Sequence, residues 1–315
     1  MNVLRRLTML AAACLVAPAL APALALADPT RVVFVTHGQA ADQYWSVVKR
    51  GMDDAARTMG VTVEYQAPAT FDMPAMQELL EAAIASKPDG LVVSIPDEEA
   101  IGPLVENAVE FGVPVIVIDS GGAELSHRLG ALAYMGQSEY DAGVAAGERV
   151  KALDVDTAVC VNHEVGNVSL DDRCRGFADG LGTEVPVLQG VMDPTDMKGR
   201  IGAYLAEHPD TQFVLAVGSA GGDPALAAIE EAGLIGKVRA GTFDMSPATL
   251  QAVVDGKMEW CIDAQQYLMG YTPVVAFDLL KRYKLAPITY YPTGPGFVGK
   301  AEAASVIDLA KQGVR

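Results

Sequence analysis

The segment KPDGLVVSIPDEEAIGPLVENAVEFGVPVIVID, residues 87–119, carries two apolar runs with a helical pattern between them. Gly90–Ile95 and Val113–Asp119 are too short for helices. They are also too continuously apolar for strands with one wet face, so they read as strands buried on both sides. Glu98–Phe111 reads as a helix, with Gly112 just past its end where a left-handed cap is favoured. A strand, a helix and a second strand in this order form a crossover unit, and such units build parallel sheets.

The same unit repeats in both directions. Toward the N-terminus, Arg31–Thr36 reads as a strand and Tyr44–Met59 as a helix with Trp45, Val48, Met52, Ala55 and Ala56 on one stripe. Val61–Tyr65 reads as a strand and Pro74–Ser86 as a helix. Past residue 135 the pattern starts again. Helices are expected over Tyr140–Lys151, Leu170–Leu181, Met197–His208, Pro224–Ala232, Pro247–Asp255 and Tyr271–Arg282. Strands are expected over Thr157–Val161, Val185–Gly190, Phe213–Val217, Val238–Phe243 and Trp260–Gln265. A final helix within Lys300–Arg315 places Ala303, Val306, Ile307 and Ala310 on one face and should pack on a lobe. The expected fold class is α/β, with two successive doubly wound, Rossmann-like lobes.

The N-terminus reads as an export leader. Arg5 and Arg6 precede an apolar run from Leu7 to about Leu26, and Ala25-Leu26-Ala27 suits signal-peptidase cleavage before Asp28. A membrane anchor is the alternative, but Pro18 and Pro22 interrupt the run. The formal net charge is −17, and losing Arg5 and Arg6 makes it two more negative. Such a chain repels phosphate backbones, which argues against nucleic acid as a partner and favours a neutral or cationic ligand. Of the four cysteines, Cys14 lies in the leader. In an oxidising compartment Cys160 and Cys174 are the candidate disulfide, with two buried thiols as the alternative.

In doubly wound sheets, ligands bind beyond the carboxyl ends of the strands. Those ends read Thr36-His37-Gly38, with Asp42, Tyr44 and Trp45 close behind, then Asp119-Ser120 and Asn162-His163-Glu164 leading to Asn167 and Arg173. Gly218-Ser219, Phe243-Asp244 and Asp263-Ala264-Gln265-Gln266 complete the set. Carboxylates and amides each accept several hydroxyl hydrogen bonds, and the aromatics Tyr44, Trp45 and Phe243 offer flat faces to a sugar ring. Asp119 and Asp244 have a plainer reading as turn or helix caps, and Arg173 as the partner of Asp171 or Asp172 on its own helix. No metal is expected, since the four histidines lack ligand spacing, and no cofactor is expected. The glycines of Gly218–Gly222 lack the phosphate-loop ending and read as a tight turn.

Several motifs together resemble one family. They are Tyr44-Trp45-Ser46 after the first strand, Lys87-Pro88-Asp89-Gly90 before the third, and Gly112-Val113-Pro114-Val115-Ile116 leading to Asp119. Arg173-Cys174-Arg175-Gly176-Phe177, Gly241-Thr242-Phe243-Asp244 and Ile262-Asp263-Ala264-Gln265-Gln266 complete the match. The chain resembles the type I periplasmic binding proteins, in the sugar-binding group similar to ribose-binding protein. The resemblance implies two lobes joined by a three-crossing hinge: 28–135 plus 266–293, and 136–265 plus 294–315. It implies a periplasmic receptor that closes over a monosaccharide or polyol and docks, as a monomer, on an ABC transporter permease in the inner membrane.

Mapped onto these residues, the resemblance makes Tyr44 and Trp45 the aromatic pair, Asp119 and Asp244 the two lobe carboxylates, and Arg173 the motif arginine. Asp42 stands where an amide is common. The full expected contact set is Thr36, His37, Asp42, Tyr44, Trp45, Asp119, Ser120, Asn167, Arg173, Ser219, Asp244 and Gln265. There are departures. Ser120 replaces an arginine, Gly218-Ser219 replaces an Asn-Asp pair, and the hinge glutamine is shifted, with Ala264 in its place and Gln265 next to it. These leave a pentose, a branched sugar and a sugar alcohol all open. A receptor for a chemoreceptor or sensor kinase would share the pocket. A secreted glycosidase would need the two carboxylates plus a catalytic water, and no G-x-S-x-G hydrolase motif is present.

Overall fold

The computed structural model describes residues 28–38 and 42–315. The expected leader, residues 1–27, lies outside them. The chain opens with β1 (Arg31–Val35), α1 (Gln43–Met59), β2 (Thr62–Gln66), α2 (Met73–Ala85), β3 (Gly90–Val93), α3 (Glu98–Glu110), β4 (Val115–Ile118), α4 (Gly122–Arg128) and β5 (Ala133–Gly136). It continues through α5 (Glu139–Lys151), β6 (Ala158–Asn162), α6 (Val168–Leu181), β7 (Val187–Gln189), α7 (Pro194–Glu207), β8 (Phe213–Ala216), α8 (Ser219–Glu231), β9 (Arg239–Phe243), α9 (Pro247–Asp255) and β10 (Trp260–Asp263). It ends with α10 (Gln266–Tyr283), β11 (Tyr290–Pro292), β12 (Gly296–Val298) and α11 (Lys300–Lys311).

Among the described residues the strands form two sheets of six, in the orders β11-β5-β4-β3-β1-β2 and β12-β10-β9-β8-β6-β7. The two orders are equivalent strand for strand. Pairing is parallel throughout, apart from antiparallel β12 on β10. The chain passes between the sheets three times: between Gly136 and Glu139, between Asp263 and Gln266, and between Pro292 and Gly296. These crossings are tied together. The Gln265 side-chain amide donates to the Thr293 carbonyl, and the Thr293 N–H donates to the Gly136 carbonyl at 3.1 Å.

Each sheet is buried on both faces. Val33 and Val35 point to one side with Met76, Leu80 and Ile101, while Val32 and Phe34 point to the other with Trp45, Val48 and Met269. This is the period-two alternation of a strand inside a three-layer lobe. Outer helices are pressed together where glycine permits. A Cβ on Gly270 of α10 would lie 1.8 Å from the Val48 carbonyl oxygen of α1. On Gly147 of α5 it would lie 2.3 Å from that of Phe177 in α6, so the two lobes use the same device.

Several elements differ from expectation. Helix α4 and strands β5, β11 and β12 carry no clear sequence signal and were not anticipated. The glycines after Gly218 are not a free turn: Ser219–Gly222 is the first turn of α8, five residues ahead of the expected start. Glycine is required there for packing, since a Cβ on Gly218 would meet the His163 ring at 2.2 Å. Helix α11 packs on α9 and the second sheet, with Ala303 and Val306 buried and Ile307 and Ala310 against the same core.

Cys160 on β6 and Cys174 on α6 form a disulfide with Cα atoms 5.7 Å apart, and Cys261 is a buried free thiol. The bridge pins a helix to its own sheet. Closing a loop of about 15 residues constrains the unfolded chain by about 3 kcal/mol. Replacing both cysteines with serine should lower the stability measured by urea unfolding by about that amount. An unchanged midpoint would mean that the bridge adds nothing to the packing.

Candidate functional site

The carboxyl ends of both sheets face one cavity between the lobes. Its walls come from His37 after β1, Asp119 and Ser120 after β4, and Asp42, Tyr44 and Trp45 at the start of α1. The second lobe supplies His163 and Glu164 after β6, Asn167, Ser169, Leu170 and Arg173 of α6, Ser219 after β8 and Asp244 after β9. In each lobe the strand order reverses beside the first strand, and ligands bind at such switch points.

Asp119 and Asp244 end equivalent strands, and both have φ of 62°. This left-handed conformation is tolerated by Asp and Asn and costly for most other residues. Held at functional positions, such backbone aims a side chain in a direction that ordinary strand geometry does not reach. Asp119 accepts from the Tyr44 hydroxyl and from Ser120 Oγ at 2.8 Å. Asp244 accepts from Gln266 Nε2 at 2.9 Å and from the Ser219 N–H at 3.2 Å. Burial pushes the Asp244 carboxyl up to about 7, with Asp42, Asp119 and Glu139 adding to the rise and Arg173 opposing it.

Arg173 does not pair with its helix neighbours Asp171 or Asp172. Its Nε donates to Glu139 Oε2 at 2.6 Å and its Nη1 to the Val217 carbonyl at 2.7 Å. The guanidinium carbon lies 4.6 Å from the centre of the Phe243 ring. Phe243 is fully buried, so it supports the arginine from below and offers no face to a ligand. Burial works against the Arg173 charge, yet Glu139 and Asp244 keep its pKa above the ordinary value. Burial raises the Glu139 carboxyl, and Arg173 opposes that shift.

Contacts cross the cleft. Ser219 Oγ donates to Asp42 Oδ1 at 3.3 Å, and the Val168 N–H donates to the Pro96 carbonyl at 3.1 Å. His37 is a strut: Nδ1 meets Ser94 Oγ at 2.8 Å, while Nε2 lies 3.3 Å from Asn167 Nδ2, 3.6 Å from Glu164 and 3.8 Å from Asp119. Its ring stands edge-on to Trp45, with centroids 4.9 Å apart. Asp42 and Asn167 also cap α1 and α6 through their side chains. Burial raises the Asp42 carboxyl. It lowers the His163 imidazole to about 3, so that ring is neutral at physiological pH.

Ten of the twelve expected residues line the cavity. Thr36 does not: it is buried, and its hydroxyl is 2.7 Å from that of Tyr65. Gln265 does not either. Its backbone is left-handed, with φ of 53°, which turns the side chain to Thr293 in the hinge and leaves Gln266 to reach Asp244. The expected contact set leaves out His163, Glu164, Ser169 and Leu170, which line the cavity, and Glu139 and Gln266, which brace Arg173 and Asp244. Glu139 follows β5, so recognising Ala133–Gly136 as a strand would have flagged it by the same strand-end rule.

Two parallel-sheet lobes closing on a buried polar and aromatic cavity define a two-lobe solute-binding protein. The chain belongs to the periplasmic binding protein domain family, whose model matches residues 32–284. It is 27% identical over 288 residues to the xylose/arabinose-binding protein XylF of Sulfolobus acidocaldarius, covering 85% of this chain and 70% of that one. A carbohydrate transporter from Acidothermus cellulolyticus, solved with myo-inositol, has a TM-score of 0.86 at 30% identity, covering 91% of this chain and all of that one. A periplasmic sugar-binding protein of an ABC sugar transporter from Legionella pneumophila has a TM-score of 0.77 at 25% identity, covering 84% of this chain and 99% of that one.

Proposed function

We propose that this protein is the periplasmic solute-binding component of an ABC transporter and captures a monosaccharide or polyol between its lobes. The observation that carries this reading is the pair of left-handed aspartates, Asp119 and Asp244, one from each lobe, meeting at a cavity with Tyr44 and Trp45. Carboxylates accept hydroxyl hydrogens with charge assistance, and the aromatic pair supplies the apolar surface. A solute touching both lobes favours the closed state by its differential affinity for it. The closed form then presents a joint surface to a permease. Two of the relatives named above are sugar-binding proteins by name and the third is a carbohydrate transporter solved with myo-inositol, which supports the substrate class. Export through the leader at residues 1–27 would place the mature chain in the periplasm, as a monomer.

A thermal-shift screen against pentoses, hexoses, cyclitols, linear polyols and amino acids tests this, with calorimetry on each hit. A sugar or polyol should raise the melting temperature by mass action and bind one to one without product. A shift from amino acids alone would remove the carbohydrate assignment.

A further inference from the structure

The second hinge crossing carries a buried charge. Asp263 ends β10 and is fully buried. Its Oδ1 accepts from the Gln265 N–H at 2.7 Å, which holds the left-handed turn at Gln265. The third crossing packs on the same residue: a Cβ on Gly294 would lie 3.1 Å from the Asp263 carbonyl oxygen, and one on Gly296 3.2 Å. Asp263 Oδ2 accepts no hydrogen bond, and its charge is met by Arg315 Nη2 at 2.5 Å. Among the described residues, Arg315 is the one cation paired with it. The Asp263 side chain is 1% exposed and that of Arg315 36%, so the acid depends on the pair more than the guanidinium does.

The local sequence aims Arg315 at the hinge. Helix α11 is followed by Gly313, with φ of 69°. The Gly313 N–H donates to the Ala310 carbonyl and the Val314 N–H to the Leu309 carbonyl, both within 3.1 Å. This paired closure turns the chain off the helix axis. Gly313 and Arg315 then line a groove together with Gln43, Tyr44 and Val47 of α1, so the segment from the second lobe reaches the edge of the first.

We propose that Arg315 is a positioning residue for solute binding. It balances Asp263, Asp263 holds the Gln265 turn, and that turn presents Gln266, whose Nε2 donates to Asp244 at 2.9 Å. Without the guanidinium, the Asp263 carboxylate turns toward water, and the crossing between the lobes loses its fixed torsions. Fewer molecules then hold the closed arrangement, and apparent affinity falls in proportion. This rests on the reading of Asp244 as a solute contact.

Calorimetry on the whole protein should use whichever of D-xylose, D-ribose, D-glucose and myo-inositol binds it tightest. Arg315→Met should weaken that probe about tenfold, at a temperature where melting curves show each variant folded. Adding Asp263→Asn should restore most of the affinity, because the amide oxygen still accepts from the Gln265 N–H and no charge is left to balance. In a Gln266→Met background, Arg315→Met should cost little more, since the link to Asp244 is already cut. Unchanged affinity in Arg315→Met, a loss that Asp263→Asn does not relieve, or an equal loss with and without Gln266 would each overturn the proposal. If none of the four probes binds the original protein, the carbohydrate reading fails, and small-angle scattering of the unliganded protein decides the hinge role. A larger radius of gyration in Arg315→Met, reversed by Asp263→Asn, supports it, and an unchanged profile overturns it.

Discussion

Asp244→Asn should abolish solute binding while leaving the unliganded protein at least as stable as the original. Asparagine fits the left-handed backbone at φ of 62° nearly as well as aspartate, so the substitution isolates charge from strain. Losing two charge-assisted hydrogen bonds costs about 3–5 kcal/mol of binding, roughly two to four orders of magnitude in Kd. Stability should move the opposite way. Burial raises the Asp244 carboxyl from the ordinary aspartate value of 3.8 to about 7, which means the charged form is disfavoured in the folded state. Between those two values the folded state holds a proton that the unfolded state releases. Stability therefore falls as pH rises through this window and levels off above about 7. Thermal melts of the unliganded protein from pH 5 to 8 should show that decline, and Asp244→Asn should make it shallower, with the raised Asp42 and Glu139 carboxyls keeping the rest. A variant that keeps its affinity would remove Asp244 from the site, and one that shows the original pH slope would remove it as a group behind the decline. Asp119→Asn is the matching probe of the first lobe.

The second large effect is on folding. Arg173→Met should destabilise the protein by about 3–5 kcal/mol, because Glu139 then remains buried without its counter-ion. For lobes of this size that corresponds to a fall of about 10 °C in Tm. Glu139 keeps one hydrogen bond, from Gln137 Nε2 at 2.8 Å. The deficit should shrink as pH falls, since burial already raises the Glu139 carboxyl and removing Arg173 raises it further. Adding Glu139→Gln to Arg173→Met should recover much of the loss, and the double-mutant cycle would report the coupling. Arg173→Met that melts like the original would show that the pair is not a structural element. Arg173→Lys should fail to restore full stability, because an ammonium cannot reach Glu139 and the Val217 carbonyl with the same fork.

Much of this architecture is legible because its signals are local. Apolar runs such as Val113–Asp119 are too short for helices, and the stripe from Trp45 to Ala56 has helical spacing, so nearest-neighbour chemistry suffices. Ala133–Gly136 and Tyr290–Pro292 escape because each is three or four residues long and acquires its strand character by pairing: β5 with β4 and β11. The site divides the same way. His37, Asp42, Tyr44, Asp119 and Asp244 follow from the strand-end rule. Glu139 as the counter-ion of Arg173 does not, because 34 residues separate them and the nearer acids Asp171 and Asp172 look equally able.

The sequence by itself determined the two α/β halves, their equivalence and the polar, aromatic character of their strand ends, because strand and helix periods and apolar runs are written residue by residue. Only the tertiary structure decided which of two adjacent glutamines meets Asp244, that Phe243 lies under Arg173, and that four carboxylates share one cavity with a single arginine. Those outcomes depend on a left-handed turn at Gln265 and on how two lobes meet. Such geometry is set by packing between distant segments, which no local pattern encodes.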